Sequence, residues 1–291
     1  MKITYVRKAL RPHQWLKNVL ILIPALAAHK FDGRTLMSVT LAIALFSLCA
    51  SGGYVLNDLL DVKADRQHHR KRHRPFASGD LPIKMGVLLV AISWILGLGA
   101  AVMFLPLSFA LIAVVYLVTS AAYSTWLKRY PVLDVMVLAG LYVIRIVAGG
   151  VAVGVPVSTW LLTFMLFVSL SLAFLKRFIE VSSQSGGGTE QVPGRGYRPD
   201  DALWLHSAGI SSAYLSAVVL AIYANSAEVT KLYAHPDRLV LVCPLVLYWA
   251  TGIWLKAHRR QIHDDPVVAV AFDPATYALA AAAGVIVITA I

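Results

Sequence analysis

Charge is scarce in this chain. Only 14% of its 291 residues are Asp, Glu, Lys or Arg, while 58% are hydrophobic. A soluble globular domain carries about 25% charged residues. The deficit falls in long uncharged runs, which excludes a large water-soluble fold and predicts an all-α polytopic membrane bundle. Cysteine is almost missing. Cys49 and Cys243 are the only two, and both stand in apolar stretches, so there is neither a disulfide framework nor a metal-ligand pattern. They read as small buried hydrophobes. Acidic residues are few as well, 15 against 26 Lys and Arg, for a net charge of +11. The excess does not predict a nucleic-acid partner, because the basic residues sit between apolar runs, where membrane topology accounts for them. The opening MKITYVRKALRPHQWLKN stays polar too long for a cleavable signal peptide. No heptad array, strong repeat or second domain breaks the pattern, so residues 1–291 are expected to form one membrane-embedded domain.

A helix needs about 20 mainly apolar residues to cross a bilayer. Nine spans are expected, at 17–33, 36–56, 86–104, 106–124, 132–153, 159–178, 203–225, 239–257 and 267–290. With this assignment 21 of the 26 Lys and Arg residues fall on one side. Lys30, Arg34, Lys231 and Arg238 fall on the other, and Arg145 lies inside the fifth span. The positive-inside rule then places the N-terminus in the cytoplasm and the C-terminus outside. The longer loops, roughly 57–85 and 179–202, fall on the cytoplasmic side. Ser182 to Gly196 is rich in Ser and Gly and reads equally as a connector or an active-site lid.

The strongest local signal closes the second span: Asn57-Asp58-Leu-Leu-Asp61-Val-Lys-Ala-Asp65. On a continuous helix each residue turns about 100°. Asp58, Asp61 and Asp65 then fall within about 60° of one another, and Asn57 widens the face to about 100°. Hard oxygen donors so arranged suit Mg²⁺ bridging to substrate phosphates. The alternative is a solvated helix end paired with nearby cations. A basic tract follows, His68-His69-Arg70-Lys71-Arg72-His73-Arg74. Lys71, Arg72 and Arg74 are expected on phosphate groups, with topology or anionic lipid as the other explanation. A zinc site from Asp65, His69 and His73 is disfavoured by the surrounding cations.

These motifs resemble the UbiA-type intramembrane prenyltransferase superfamily. The likeness is closest to the decaprenyl-phosphate phosphoribosyltransferase branch. It is carried by Arg11-Pro12-x-Gln14-Trp15-x-Lys17-Asn18, by Asp65-Arg66 to Arg74-Pro75, and by Ala122-Tyr123 with Leu127-Lys128. Ile144-Arg145 with Ala148-Gly149-Gly150, and Lys176-Arg177-x-x-Glu180, carry it further. The likeness covers most of residues 7–180 and thins afterwards. It implies transfer of 5-phosphoribose from 5-phosphoribosyl 1-diphosphate to a polyprenyl phosphate, a Mg²⁺ requirement, and residence in a bacterial inner membrane. A homo-oligomer is compatible with it. The alternative within the superfamily is prenyl transfer from a prenyl diphosphate to an aromatic or other acceptor. Aromatic prenyltransferases carry a second aspartate-rich motif after the sixth span, where this chain has Lys176 and Arg177. A cationic pair there suits a second phosphate, unless it only marks a helix end; Asp200 and Asp201 stand nearby as other carboxylates.

The expected metal ligands are therefore Asn57, Asp58, Asp61 and Asp65. Lys17, Lys71, Arg72, Arg74, Lys128, Arg145, Lys176 and Arg177 are expected on the substrates. Arg145 is the most telling, since a guanidinium within a span is costly and normally faces a partner inside the protein. Tyr54, Tyr123 and Tyr142 read more readily as packing. His263-Asp264-Asp265-Pro266 reads as a helix start that would also lie near the site. A transporter without chemistry fits less well, because the charges gather at the cytoplasmic helix ends and not at the midplane.

Overall fold

The computed structural model describes residues 2–67, 71–183, 196–262 and 265–291. His68, His69, Arg70, most of the Ser/Gly-rich stretch, Arg195, His263 and Asp264 lie outside the described residues. All regular structure within them is helical.

The chain opens with α1 (Lys2–Leu10), a 3-10 helix (Pro12–Leu22) and α2 (Ile23–Ala27). Next come α3 (Gly33–Leu60), α4 (Val62–Gln67), α5 (Pro75–Ser78), α6 (Ile83–Phe104) and α7 (Leu107–Thr125). The order continues with α8 (Leu133–Ala152), α9 (Thr159–Ser182), α10 (Ala202–Ala224), α11 (Val242–His258), α12 (Pro266–Ala271) and α13 (Pro274–Ala290). Local signals set the boundaries. Asp32 caps α3, accepting from the Thr35 amide at 3.0 Å and its hydroxyl at 2.6 Å. Ser158 caps α9 through the Leu161 amide at 3.2 Å. Pro106 forces the turn between α6 and α7 because it cannot continue a helix.

Among the described residues, seven helices are long and apolar enough to cross a membrane. Nine spans are expected, and the two that are not among these seven helices are at the chain's ends. The segment expected at 17–33 is a 3-10 helix that passes into five residues of α2. The segment expected at 267–290 is broken at Asp273-Pro274, which leaves α12 and a 17-residue α13. Outward faces are apolar where lipid would meet them: Ile95, Met103 and Leu107 are all well exposed.

By packing, the chain forms two compact units. One comprises Met1–Lys128 and Ile144–Val157, the other Arg129–Val143 and Ser158–Ile291. The first has a core of Ala9, Val55, Val62, Phe76, Leu81 and Val90. Gly149 brings α8 against the 3-10 helix, and a Cβ there would stand 2.1 Å from the Ile21 carbonyl oxygen. The core of the second includes Val135, Phe174, Phe178, Leu205 and Trp254. The Trp254 indole donates to Ser171 at 2.9 Å, so a large aromatic is buried with its polar atom satisfied.

Candidate active site

In the first unit, the acidic motif does not form one helical face. α3 stops at Leu60, Asp61 takes a non-helical conformation as its C-cap, and α4 begins at Val62. The backbone bonds from Asp61 to Asn57 and from Asp65 to Asp61 persist, at 3.0 and 2.8 Å. Across this break the carboxylates take different partners. Asp58 and Asp65, 2% and 3% exposed, converge. Arg74 Nη1 reaches Asp58 Oδ1 at 3.1 Å and Asp65 Oδ2 at 2.7 Å. Asp61 turns instead to Lys128, whose Nζ lies 2.9 and 3.0 Å from its two oxygens. Asn57 is half-buried at the same helix end.

Arg11 completes this lattice, with Nη2 2.6 Å from Asp58 Oδ1. Its backbone is left-handed, at φ 50° and ψ 59°, a conformation that costs a non-glycine residue about 1–2 kcal/mol. Strain of this kind gathers at functional sites. Arg11 was not among the expected site residues. The Arg-Pro pair was visible, but nothing in the sequence says that a residue 47 positions away bonds Asp58. Lys71 acts electrostatically on Asp65, while Arg72 is exposed beside His73. Burial pushes the Asp65 carboxyl up, against the pull of Arg74.

No three His, Cys, Asp or Glu side chains among the described residues are gathered for a metal ion; the expected triple face is replaced by carboxylates paired with cations. One atom nevertheless fits a metal. Asp58 Oδ2 is buried with no hydrogen-bond partner among the described residues, although Oδ1 accepts from two arginines. Leaving a buried carboxylate oxygen unsatisfied is costly. A hard cation is the partner its chemistry suits.

Deeper in this unit lies Arg145, 3% exposed on α8. Its Nε donates to Asn18 Oδ1 at 2.8 Å and its Nη2 to the Tyr116 hydroxyl at 3.0 Å. Its guanidinium lies 4.7 Å from the Tyr116 ring centre and 5.6 Å from that of Phe46. Asn18 in turn donates to Ser47 at 2.8 Å. Lys17 is 8% exposed. Asn18 and Tyr116 were missed as partners because they come from separate elements.

In the second unit the Lys176-Arg177 pair divides. Lys176 is partly exposed, its ammonium 3.8 Å from Asp265. Arg177 is fully buried, with Nε 2.6 Å from Asp134 Oδ2 and a second ion pair to Glu180. Arg177, expected on a phosphate group, is here paired with two carboxylates, as a buried guanidinium requires. Tyr197 donates to Asp134 Oδ1 at 2.6 Å and accepts from the Val132 amide at 2.9 Å. Burial, and then the Asp134 carboxylate, push its phenol well up. Asp201 bonds the Arg198 amide as part of a helix start, and Asp265 caps α12.

With this geometry in place, the chain can be compared with known proteins. The model of the UbiA prenyltransferase family matches residues 19–279. The chain is 39% identical over 262 residues to an uncharacterized protein of Sinorhizobium fredii, covering 89% of this chain and half the length of that protein. It is 34% identical to the nodulation protein NoeC of Azorhizobium caulinodans, over 89% of this chain and 84% of NoeC. It is 41% identical over 181 residues to decaprenyl-phosphate phosphoribosyltransferase of Mycobacterium tuberculosis, covering 60% of each. Among solved structures, a UbiA homolog from Archaeoglobus fulgidus bound to DMAPP and Mg²⁺ superposes with a TM-score of 0.70 at 15% identity, over 97% of this chain and 98% of that one.

Proposed function

The chain belongs to the UbiA prenyltransferase family, and from that premise we propose that it transfers 5-phosphoribose from 5-phosphoribosyl 1-diphosphate to a polyprenyl phosphate. It does so as one membrane-embedded transferase domain at the cytoplasmic face of a bacterial inner membrane. The observation that carries the chemistry is Asp58, whose buried carboxylate has one oxygen held by Arg11 and Arg74 and the other without a hydrogen-bond partner among the described residues. The likeness to phosphoribosyltransferases supports the choice of donor.

Asp58 and Asp65 would hold Mg²⁺, joined by Asn57 and, on exchanging its contact with Lys128 for the ion, by Asp61; the ion would neutralise charge on the donor's diphosphate. The chain's own cations do the remaining electrostatic work. Arg11, Arg74 and Lys128 already stand against these carboxylates, with Lys71 and Arg72 on the adjoining segment. They meet the phosphates and stabilise the charge that grows on the departing diphosphate. The bond from the anomeric carbon to the diphosphate oxygen breaks, and the electron pair leaves with diphosphate. A lipid phosphate oxygen forms the new bond to that carbon. This nucleophile is already anionic, so no strong general base is required. Lys176 is proposed as a further contact to an anionic group.

The test is a reconstituted membrane given labelled 5-phosphoribosyl 1-diphosphate and a polyprenyl phosphate, with mass spectrometry of the lipid product. A lipid heavier by one phosphoribosyl group, formed only with Mg²⁺, is expected. No such product, together with prenyl transfer from a prenyl diphosphate to an aromatic or other acceptor, would replace this reading with the alternative one.

A further inference from the structure

The first unit holds a second concentration of positive charge, away from the aspartates. Lys17 and Arg145 are both buried, one on the 3-10 helix and the other on α8. Arg145 is oriented by hydrogen bonds to neutral side-chain oxygens of Asn18 and Tyr116, and both cations lie within electrostatic reach of the Tyr116 hydroxyl. Two like charges in a low-dielectric interior repel strongly, and a dianion placed beside both is attracted strongly.

The geometry of α3 sets this site apart from the aspartates. Ser47, Ser51, Tyr54 and Asp58 follow a 4-3-4 spacing and share one face. Ser47, which holds Asn18, lies 11 residues from Asp58, or about 16 Å along the axis. Tyr54 stands one turn below Asp58 and acts electrostatically on Tyr116. The polar stripe thus leads from the carboxylates down to the buried cations.

We propose that Lys17 and Arg145, with Tyr116 and Asn18 orienting the guanidinium, form a second phosphate site that binds a phosphate monoester separately from the diphosphate. This rests on the reaction proposed above, which brings in two such groups: the 5-phosphate of the sugar donor and the phosphate of the lipid. Each carries about −1.5 to −2 charge at neutral pH, enough to match the two cations. Arg supplies a planar fork and Lys a point charge.

The experiment measures binding to the detergent-purified full chain by calorimetry. Three probes are used: ribose 5-phosphate, geranyl phosphate, and inorganic diphosphate with Mg²⁺. In Lys17→Gln and Arg145→Gln, affinity for at least one monoester should fall about tenfold or more, the loss of one charge-assisted contact. Mg²⁺-diphosphate affinity should stay within about twofold. Arg145→Lys should recover part of the loss, and Tyr116→Phe should weaken the same monoester with the ring retained. Asp58→Asn should show the reverse pattern, losing diphosphate and keeping the monoester. A loss confined to ribose 5-phosphate assigns the site to the donor sugar, and one confined to geranyl phosphate assigns it to the lipid. Should Arg145→Gln not fold, Lys17→Gln and Tyr116→Phe decide the matter. Equal loss of all three probes, unchanged monoester binding in the folded variants, or no monoester binding by the parent protein overturns the proposal. Failure of the proposed reaction reads differently: 5-phosphoribosyl 1-diphosphate is not turned over, whatever the ratio of monoester to diphosphate affinity.

Discussion

At the scale of single residues, the proposed reaction turns on Asp58. Asp58→Ala should abolish diphosphate release from 5-phosphoribosyl 1-diphosphate, and near-normal turnover of the purified variant with Mg²⁺ would remove it from the site. Arg74 makes a separate prediction about pH. Burial raises the Asp65 carboxyl and Arg74 holds it back down, so Arg74→Gln removes an opposing cause and Asp65 stays protonated to higher pH. A metal-binding carboxyl must be ionised, so the acid limb of the pH–activity profile should move to higher pH; a limb that stays in place or moves down refutes the coupling. Arg177 gives the sharpest contrast with what its sequence suggested. Arg177→Gln should leave Asp134 buried without its cation, a loss of about 3–5 kcal/mol, visible as a lower unfolding temperature without any substrate. If stability is unchanged and only substrate affinity falls, Arg177 is a phosphate ligand after all. The aspartates were legible because three carboxylates closing an apolar run are unusual. The partnerships were not: Asp134 stands 43 residues before Arg177, and Arg11 47 before Asp58, with no pattern joining them.

At the scale of elements, apolar runs made the long helices legible, with α3, α6, α7, α8, α9, α10 and α11 all falling on expected spans. The 3-10 helix at Pro12–Leu22 was not, since periods of 3.0 and 3.6 do not separate over 11 residues of mixed polarity. The break at Asp61 was hidden for a related reason: the residues on either side are compatible with a continuous helix. Small residues have a similar ambiguity, which the packing resolves. A Cβ at Gly149 would meet the Ile21 backbone at 2.1 Å, whereas Gly99 on α6 has open space around it. Gly149→Ala should therefore part α8 from the 3-10 helix at a cost of about 1–3 kcal/mol, while Gly99→Ala is tolerated. Thermal unfolding of the two variants in one detergent checks this, and equal unfolding temperatures would mean that the contact at Ile21 yields without cost.

For the whole molecule, the number of crossings decides which side of the membrane each chain end occupies. The seven long helices alone would put the ends on opposite sides, and each further crossing reverses that relation. Two short segments remain. The 3-10 helix Pro12–Leu22 rises about 2.0 Å per residue, which gives roughly 22 Å over its 11 residues, and α2 adds about 7 Å. Together they approach the thickness of the hydrocarbon core, about 30 Å, because a 3-10 helix covers more depth per residue than an α-helix does. α13 extends about 25 Å over 17 residues, short of that thickness by an amount that local thinning of the bilayer can absorb. If both cross, the chain has nine spans and its ends lie on opposite sides, with the basic N-terminal segment held inside. If only one crosses, the ends share a side. Alkaline phosphatase, active only outside the cytoplasm, and a green fluorescent protein, fluorescent only within it, can each be fused after Ile291 and, separately, after Gln261. Nine crossings require an active phosphatase and a dark fluorescent protein at Ile291, with the reverse at Gln261. The same reporter signal at both positions would show that α13 lies in the interface, and would reduce the span count by one.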